Sequence, residues 1–487
     1  MVSVSKADDL HIFFLPFLAP GHMIPMVDLA RIFADRGVKA SVVTTTGNIP
    51  LIQSTVDLAN ADPSLRHHIQ ILPLHLSFSD AGIPQGYENL TAFRDTDVVF
   101  RFASATCKLE APFSQLLHAH RPDCIVADIF YPWASRQAKD LGIPLLLFHG
   151  SSLFQTVSSI VLRELKLDEI TEETFELPGL PHRIRISLSE LPEFVRRPPE
   201  FLAWMSECAR DSHGMIMNSF YELEREYIDL ARRSNYMKYW FVGPVSLHNR
   251  HPDEKIARGN MAASVSSDQY LKWLDSKKRR SVLYVCFGSL CRFTAAQLHE
   301  IARGLEASGQ PFIWVVRHAG EPAEWMPEGF EKRVIGEGKG LIIHGWAPQL
   351  LILNHEAVGG FVTHCGWNSC LEAVTAGVPV ITWPLFADQF FNEKLLVDVQ
   401  GIGIAIGATV CSDRAEERVL VKEDRIKKAV NELMGDGKEA EERRRKAKEL
   451  GVMARKAMEE GGSSYLEMSG LMEDLVCMKL VRLTKQM

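Results

Sequence analysis

No two of the nine cysteines form a C-x-x-C pair, and their number is odd. Scattered thiols of this kind belong to a reducing compartment and not to a disulfide framework, so a cytoplasmic chain is expected. Excess positive charge is also missing. A formal net charge of -7 offers nucleic acid no electrostatic footprint. Residues 1–9 are polar and acidic, and the apolar run after them contains His11 and breaks at Pro16. Neither a signal peptide nor a stable membrane insertion is expected from that pattern. Without secretion, the acceptor sequence Asn89-Leu90-Thr91 carries no glycan. No G-x-G-x-x-G follows the first apolar run, where Pro20-Gly21-His22 stands instead, which speaks against a nicotinamide oxidoreductase. No G-x-S-x-G elbow surrounds Ser151 or Ser289, which speaks against a serine hydrolase.

What is present is an ordinary globular composition, 46% apolar and 24% charged, spread over 487 residues. That length suits two domains. Short apolar runs alternate with amphipathic helical stretches, the pattern of parallel sheets built from βαβ units, so the fold class is α/β. Strands are expected at residues 11–17, 38–44, 124–127 and 145–148. A second series is expected at 282–287, 312–316, 340–344, 360–364 and 379–383. Pro20-Gly21 ends the first run, helical spacing begins at Ile24, and Gly37 is a plausible stop. Thr294 is a candidate N-cap for a helix over 294–308. Residues 246–267 are polar and lack apolar periodicity, and they are read as a linker. The expected domains are therefore 1–245 and 268–487, with helices over 422–475 and the last helix returning to the N-terminal domain. Two doubly wound sheets in tandem would set their carboxyl edges across a cleft, where ligands of such sheets bind.

The informative stretch is residues 346–389, WAPQLLILNHEAVGGFVTHCGWNSCLEAVTAGVPVITWPLFADQ. It closely resembles the signature box of the plant UDP-dependent secondary-product glycosyltransferases, family 1, which have the GT-B fold of two Rossmann-like doubly wound domains facing across a cleft. The resemblance rests on Trp346-Ala347-Pro348-Gln349, the run THCGWNS over 363–369, Glu372, Gly377-Val378-Pro379, Pro384 and Asp388-Gln389. It extends to Pro20-Gly21-His22, to the GIPQG loop at 82–86 and to Phe287-Gly288-Ser289; Cys370 departs from the Thr common there. The resemblance implies a donor site with Trp346, Ala347 and Gln349 on the uridine and Glu372 on the ribose. It assigns Ser289, His364, Asn368 and Ser369 to the phosphates, and Trp367, Asp388 and Gln389 to the sugar. Gln at position 389 is associated with UDP-glucose as co-substrate. No metal and no cofactor are implied, and a monomer is expected.

Elementary chemistry supports the same roles. A helix beginning near Trp367 presents first-turn amides and the positive end of its dipole to a diphosphate, without a metal. Asn368, Ser369 and His364 add donors at that end. Glu372 shares a helical face with Asn368 and Ser369 and suits the two hydroxyls of a ribose. Trp346 offers a flat surface to uracil. Asp388 and Gln389, a carboxylate beside an amide, suit vicinal sugar hydroxyls.

His22 follows the first strand, where an imidazole could deprotonate an acceptor hydroxyl near neutral pH. Asp128 ends the strand 124–127 at the same sheet edge and could orient that imidazole. The resemblance carries the same catalytic pair onto His22 and Asp128. The expected reaction inverts the anomeric centre and gives a β-O-glucoside of a small lipophilic acceptor, which the resembled subgroup implies to be a triterpenoid or steroid, a flavonoid or a related terpenoid. Phe17, Leu18, Phe148 and residues 82–87 are candidate acceptor walls. Two rival readings meet contrary signals in the sequence. A structural zinc at Cys286, Cys291, His364, Cys365 and Cys370 has the wrong intervals. A nucleotide-sugar sensor would retain the box and lose the base, and here both His22 and Asp128 are present.

Overall fold

The computed structural model describes residues 10–75, 83, 84, 86–93, 98–234, 237–259, 267–317 and 320–486. Residues 1–9, two positions of the 82–86 loop, and the linker positions 260–266 lie outside them. The described residues divide into two compact units. One takes in the chain up to 152, residues 198–259 and everything from 456 onward, and the other takes in 153–197 and 260–455.

The first unit is built on a seven-stranded parallel sheet. Its strands are β1 (His11–Leu15), β2 (Lys39–Thr45), β3 (Gln70–Leu74), β4 (Cys124–Asp128) and β5 (Leu145–His149). A short antiparallel pair, β6 (Thr174–Glu176) and β7 (Arg185–Ser187), belongs to the other unit. β8 (Met215–Met217) and β9 (Tyr239–Phe241) complete the first sheet, in the order β3-β2-β1-β4-β5-β8-β9. The second unit carries β10 (Val282–Cys286), β11 (Phe312–Val316), β12 (Gly340–His344), β13 (Val358–Thr363), β14 (Val380–Thr382) and β15 (Gly403–Ala405). Its order is β12-β11-β10-β13-β14-β15, again all parallel. Both sheets are Rossmann-like, covered on both faces, which is why their strands read as unbroken apolar runs. In each the strand order reverses once, between β1 and β4 and between β10 and β13. That reversal opens a crevice at the carboxyl edge.

The strands not anticipated are short or carry contrary signals. β8, β9 and β15 have three residues each. β3 contains Pro73, which a sheet tolerates here because β3 lies at the edge. The first helix also starts earlier than its apolar spacing indicates. It spans Pro20–Ala34, with Ala19 as N-cap and Pro20 in the first turn. Proline has no N–H to lose there and its φ suits the helix, so Pro20, five residues past the end of β1, begins the helix where the sequence suggests only a break. Gly37 lies just beyond, with φ +87°.

Residues 246–259 differ from the linker expectation. They form the turn Val245–His248 and the helix Pro252–Ala257 and belong to the first unit. Several of their polar side chains are buried and paired, not solvated. Asn249 Nδ2 and Arg258 Nε donate to the buried Asp28 carboxylate at 2.9 and 2.7 Å, and Arg31 Nη1 donates to Asn249 Oδ1 at 2.6 Å. Hydropathy alone cannot separate a solvated charge from a buried one with a partner. The helical stretch toward the C-terminus resolves into three helices, Glu423–Met434, Lys438–Met458 and Ser463–Gln486. The last of these buries Met468, Leu471 and Leu475 in the core of the first unit. Lys479 and Arg482 on the same helix grip the Asp123 carboxylate.

Candidate functional site

In the first unit, β1 and β4 are neighbours, with Leu15 level with Ala127. The residues just beyond those positions therefore converge at the switch point. Asp128 is fully buried, and its Oδ2 lies 2.7 Å from His22 Nδ1. Asp128 Oδ1 accepts the Phe130 amide at 3.1 Å, which fixes the carboxylate plane. His22 sits in the first turn of the Pro20–Ala34 helix, its amide donating to Ala19 O at 3.0 Å, and not in the loop before it. The His22 side chain is 26% exposed, so the nitrogen turned away from Asp128 is the one available to a substrate. When Nδ1–H donates to an ionised Asp128, the ring's lone pair lies on Nε2.

Aromatic rings surround the imidazole. Phe17 and Phe130 meet it edge-on with centroids at 5.4 and 5.5 Å. Phe130 stacks on Phe201, and Phe17 leads through Phe102 and Phe93 to Tyr87. Phe17, Leu18 and Phe148 are at most 1% exposed, so they form the packed floor of this region and not an open wall. The partly exposed rings are those of Phe93, Phe130, Trp204 and Tyr87. Phe130 carries no signal in the sequence beyond standing two residues after Asp128, and the structure sets its ring against His22.

The donor-site candidates all lie in the second unit. The helix Trp367–Ala376 follows β13 through Cys365, a non-glycine residue held at φ +65°, and Gly366, which has no side chain with which to cap the helix end. Ser369 and Glu372 are buried on this helix. Gln349 joins them: its Nε2 donates to Ser369 Oγ at 3.0 Å and to Glu372 Oε2 at 2.7 Å. These three side chains, expected to hold different parts of a nucleotide, thus form one hydrogen-bonded cluster. Ala347 is buried beside them. The Trp367 ring is only 3% exposed, so what this position offers at the helix end is backbone and not indole. Asn368 is half-buried in the same first turn.

His364 lies between two glycines. A Cβ on Gly288 would stand 2.6 Å from the ring, and one on Gly366 would stand 2.4 Å from Nε2. Gly288 has φ +76° and leads directly to the half-buried Ser289 after β10. Burial of the ring, and secondarily the charge of Arg317, lower the His364 pKa to about 4. At neutral pH it is therefore an uncharged hydrogen-bonding group. Asp388 precedes the helix Gln389–Lys394, and its Oδ2 accepts from Asn392 Nδ2 at 2.9 Å; the same nitrogen donates to Cys365 O at 2.9 Å. Gln389 Oε1 accepts the amides of Leu385 and Phe386 at 2.9 and 3.2 Å, which commits its oxygen and leaves its NH2 as the donor end of the side chain. Asn392, which links Asp388 to the Cys365 turn, lies three residues past the signature box and carries no local signal of that role.

Trp346 follows β12, and its ring carries the Arg317 guanidinium with Cζ 4.6 Å from the centroid. Among the described residues no group of three or more His, Cys, Asp or Glu side chains is disposed to hold a metal ion. Cys286, Cys291, Cys365 and Cys370 are buried free thiols. No described helix is long and apolar enough to cross a membrane.

Comparison with known proteins gives concordant matches. A family model described as UDP-glucoronosyl and UDP-glucosyl transferase matches residues 259–434, and one described as glycosyltransferase, N-terminal domain matches residues 8–247. The anthocyanin 3'-O-beta-glucosyltransferase of Gentiana triflora is 43% identical over 480 residues, covering 96% of this chain and 98% of that one. The UDP-glucose flavonoid 3-O-glucosyltransferase 7 of Fragaria ananassa is 44% identical, covering 97% and 98%. Among solved structures, Glycyrrhiza uralensis UGT73P12 complexed with glycyrrhetinic acid 3-O-monoglucuronide superposes with a TM-score of 0.90 at 40% identity, covering 98% of each chain.

Proposed function

The chain belongs to the UDP-glucoronosyl and UDP-glucosyl transferase family and is a UDP-glycosyltransferase, and from that premise we propose that it moves glucose from UDP-glucose onto a hydroxyl of a small lipophilic acceptor with inversion. The acceptor is a triterpenoid or steroid, a flavonoid or a related phenolic or terpenoid, and the product is a β-O-glucoside. The partly exposed aromatic rings near His22 support an apolar acceptor. The names of the relatives quoted above support glucose as the sugar. The scattered thiols support a cytoplasmic setting, and a monomer is sufficient for the reading.

The observation that carries the reading is the His22–Asp128 pair. His22 Nε2 takes the acceptor proton while the acceptor oxygen bonds to the anomeric carbon. The bond from that carbon to the β-phosphate oxygen breaks, and UDP leaves with the electron pair. Asp128 stabilises the imidazolium as it forms. The amides at the start of the Trp367 helix, with Ser289, His364, Asn368 and Ser369, receive the charge that grows on the phosphate. Trp346, Ala347 and Gln349 hold the uridine, Glu372 the ribose, and Trp367, Asp388 and Gln389 the sugar.

The test is incubation with UDP-glucose and a mixed phenolic and terpenoid panel, read by product mass, alongside His22→Ala. A mass gain of one hexose that disappears in His22→Ala with UDP binding retained is the expected result. UDP binding with no product across the panel would favour a sensor. Near-normal turnover in His22→Ala would remove His22 from the mechanism.

A further inference from the structure

The signature stretch 346–389 contains no Lys and no Arg, yet its first residue, Trp346, is covered on one face by a cation from outside it. Arg317 stands one residue beyond β11, and its guanidinium lies over the indole, Cζ 4.6 Å from the centroid. Two backbone links hold this arrangement. Arg317 Nε donates to Gly345 O at 2.7 Å, and Gly345 N donates to Val316 O at 3.0 Å. Together they tie the end of β11 to the turn after β12. Gly345 has φ +92°, a conformation that favours glycine, and it delivers residue 346 directly onto residue 317. The indole has no other polar anchor: Trp346 Nε1 is buried and finds no hydrogen-bond partner among the described residues. Buried indole N–H groups ordinarily find one. With none here, the plane of the ring is set by packing and by the guanidinium lying over it.

We propose that Arg317 is a positioning residue of the donor site, holding the Trp346 indole from behind so that the uracil of the donor stacks on the opposite face. The inference rests on the reading of Trp346 as the base platform. A planar guanidinium can keep an aromatic ring flat against it, whereas an ammonium on a flexible stem cannot. The charge of Arg317 also reaches the phosphate end of the site, where it helps hold His364 neutral. A full positive charge is thus supplied to a stretch of chain that has no Lys or Arg of its own.

The test compares Arg317→Ala, Arg317→Lys and Trp346→Ala in the full chain, using inhibition constants for UDP and for uridine together with kcat and KM for UDP-glucose. Arg317→Ala and Arg317→Lys should each raise the uridine and UDP constants by a similar factor, about tenfold, with kcat changed less than about threefold. Equal loss for uridine and UDP locates the effect at the base. If Arg317→Ala does not fold, Arg317→Lys carries the test, because its ammonium can still donate to Gly345 O while losing the flat stack. Unchanged uridine binding in Arg317→Lys, with Trp346→Ala strongly weakened, would overturn the inference and spare the platform. Loss for UDP without loss for uridine would also overturn it, since the cation would then act on phosphate alone. If Trp346→Ala itself binds UDP normally, the platform reading fails, and the inference with it.

Discussion

His22 Nδ1 and Asp128 Oδ2 stand 2.7 Å apart although 106 residues separate them along the chain. β1 and β4 are hydrogen-bonded neighbours, and both residues lie where the strand order of the first sheet reverses. Asp128 is wholly buried and also accepts the Phe130 amide, so its two oxygens have fixed and different duties.

That division of duties makes Asp128→Asn more damaging than its size suggests. The amide oxygen would take over acceptance from Phe130 N, which leaves the NH2 facing His22 Nδ1. Nδ1 must then be the acceptor, and the proton moves to Nε2, the nitrogen required as base. Turnover should fall by about 10⁴-fold while UDP affinity and thermal stability stay close to wild type. Steady-state kinetics beside UDP titration checks this, and a loss below tenfold would argue against the assigned tautomer.

The slot around His364 yields a second prediction. Gly366 has φ −60° and ψ 137°, which alanine adopts without strain, yet the added Cβ would sit 2.4 Å from His364 Nε2. Gly366→Ala should therefore displace the ring without unfolding the chain and weaken UDP binding by about tenfold or more. Gly336→Ala, where the new Cβ meets nothing within 4 Å, serves as the neutral control. Equal UDP affinity in both variants would mean that His364 does not contact the phosphates.

A third prediction concerns pH. Glu393 is 4% exposed and receives the Thr382 hydroxyl at 2.5 Å. Burial, with Glu190 and Asp398 adding to it and Thr382 and Lys394 opposing it, raises its pKa from 4.5 to about 7. A carboxyl raised on folding contributes stability that is complete below its unfolded value and lost as pH rises through the folded one. Glu393→Gln removes that loss. The variant should match wild type near pH 4.5 and exceed it increasingly from pH 5 to 8, reaching on the order of 3 kcal/mol. Thermal or urea unfolding at several pH values reads the difference directly; a gap that does not widen with pH would refute the buried-carboxyl account.

Much of the architecture was legible because it depends on local pattern. Strands covered on both faces must be apolar throughout, so β1, β2, β4, β5 and β10 to β14 stand out as runs, and their alternation with helices implies parallel pairing. The short strands β8, β9 and β15 have three residues each and do not stand out, whereas β14, equally short, is picked out by the apolar run that continues to Trp383. The segment 246–259 reads as linker for a different reason. Its charges look solvated until Asp28 and Arg31, more than two hundred residues away in sequence, are seen to pair with them.

The chain's own letters determined the family, the two sheets and which side chains could serve the donor, since those depend on residue type at fixed spacing. Tertiary structure alone decided orientation and partnership. It buries the Trp367 ring, ties up the Gln389 oxygen with two backbone amides, gathers Gln349, Ser369 and Glu372 into one cluster, and lays Arg317 on Trp346. Apart from the short-range Gln389 bonds, these contacts join residues that only the packed backbone brings within a few ångströms of one another, and no local spacing encodes such a distance.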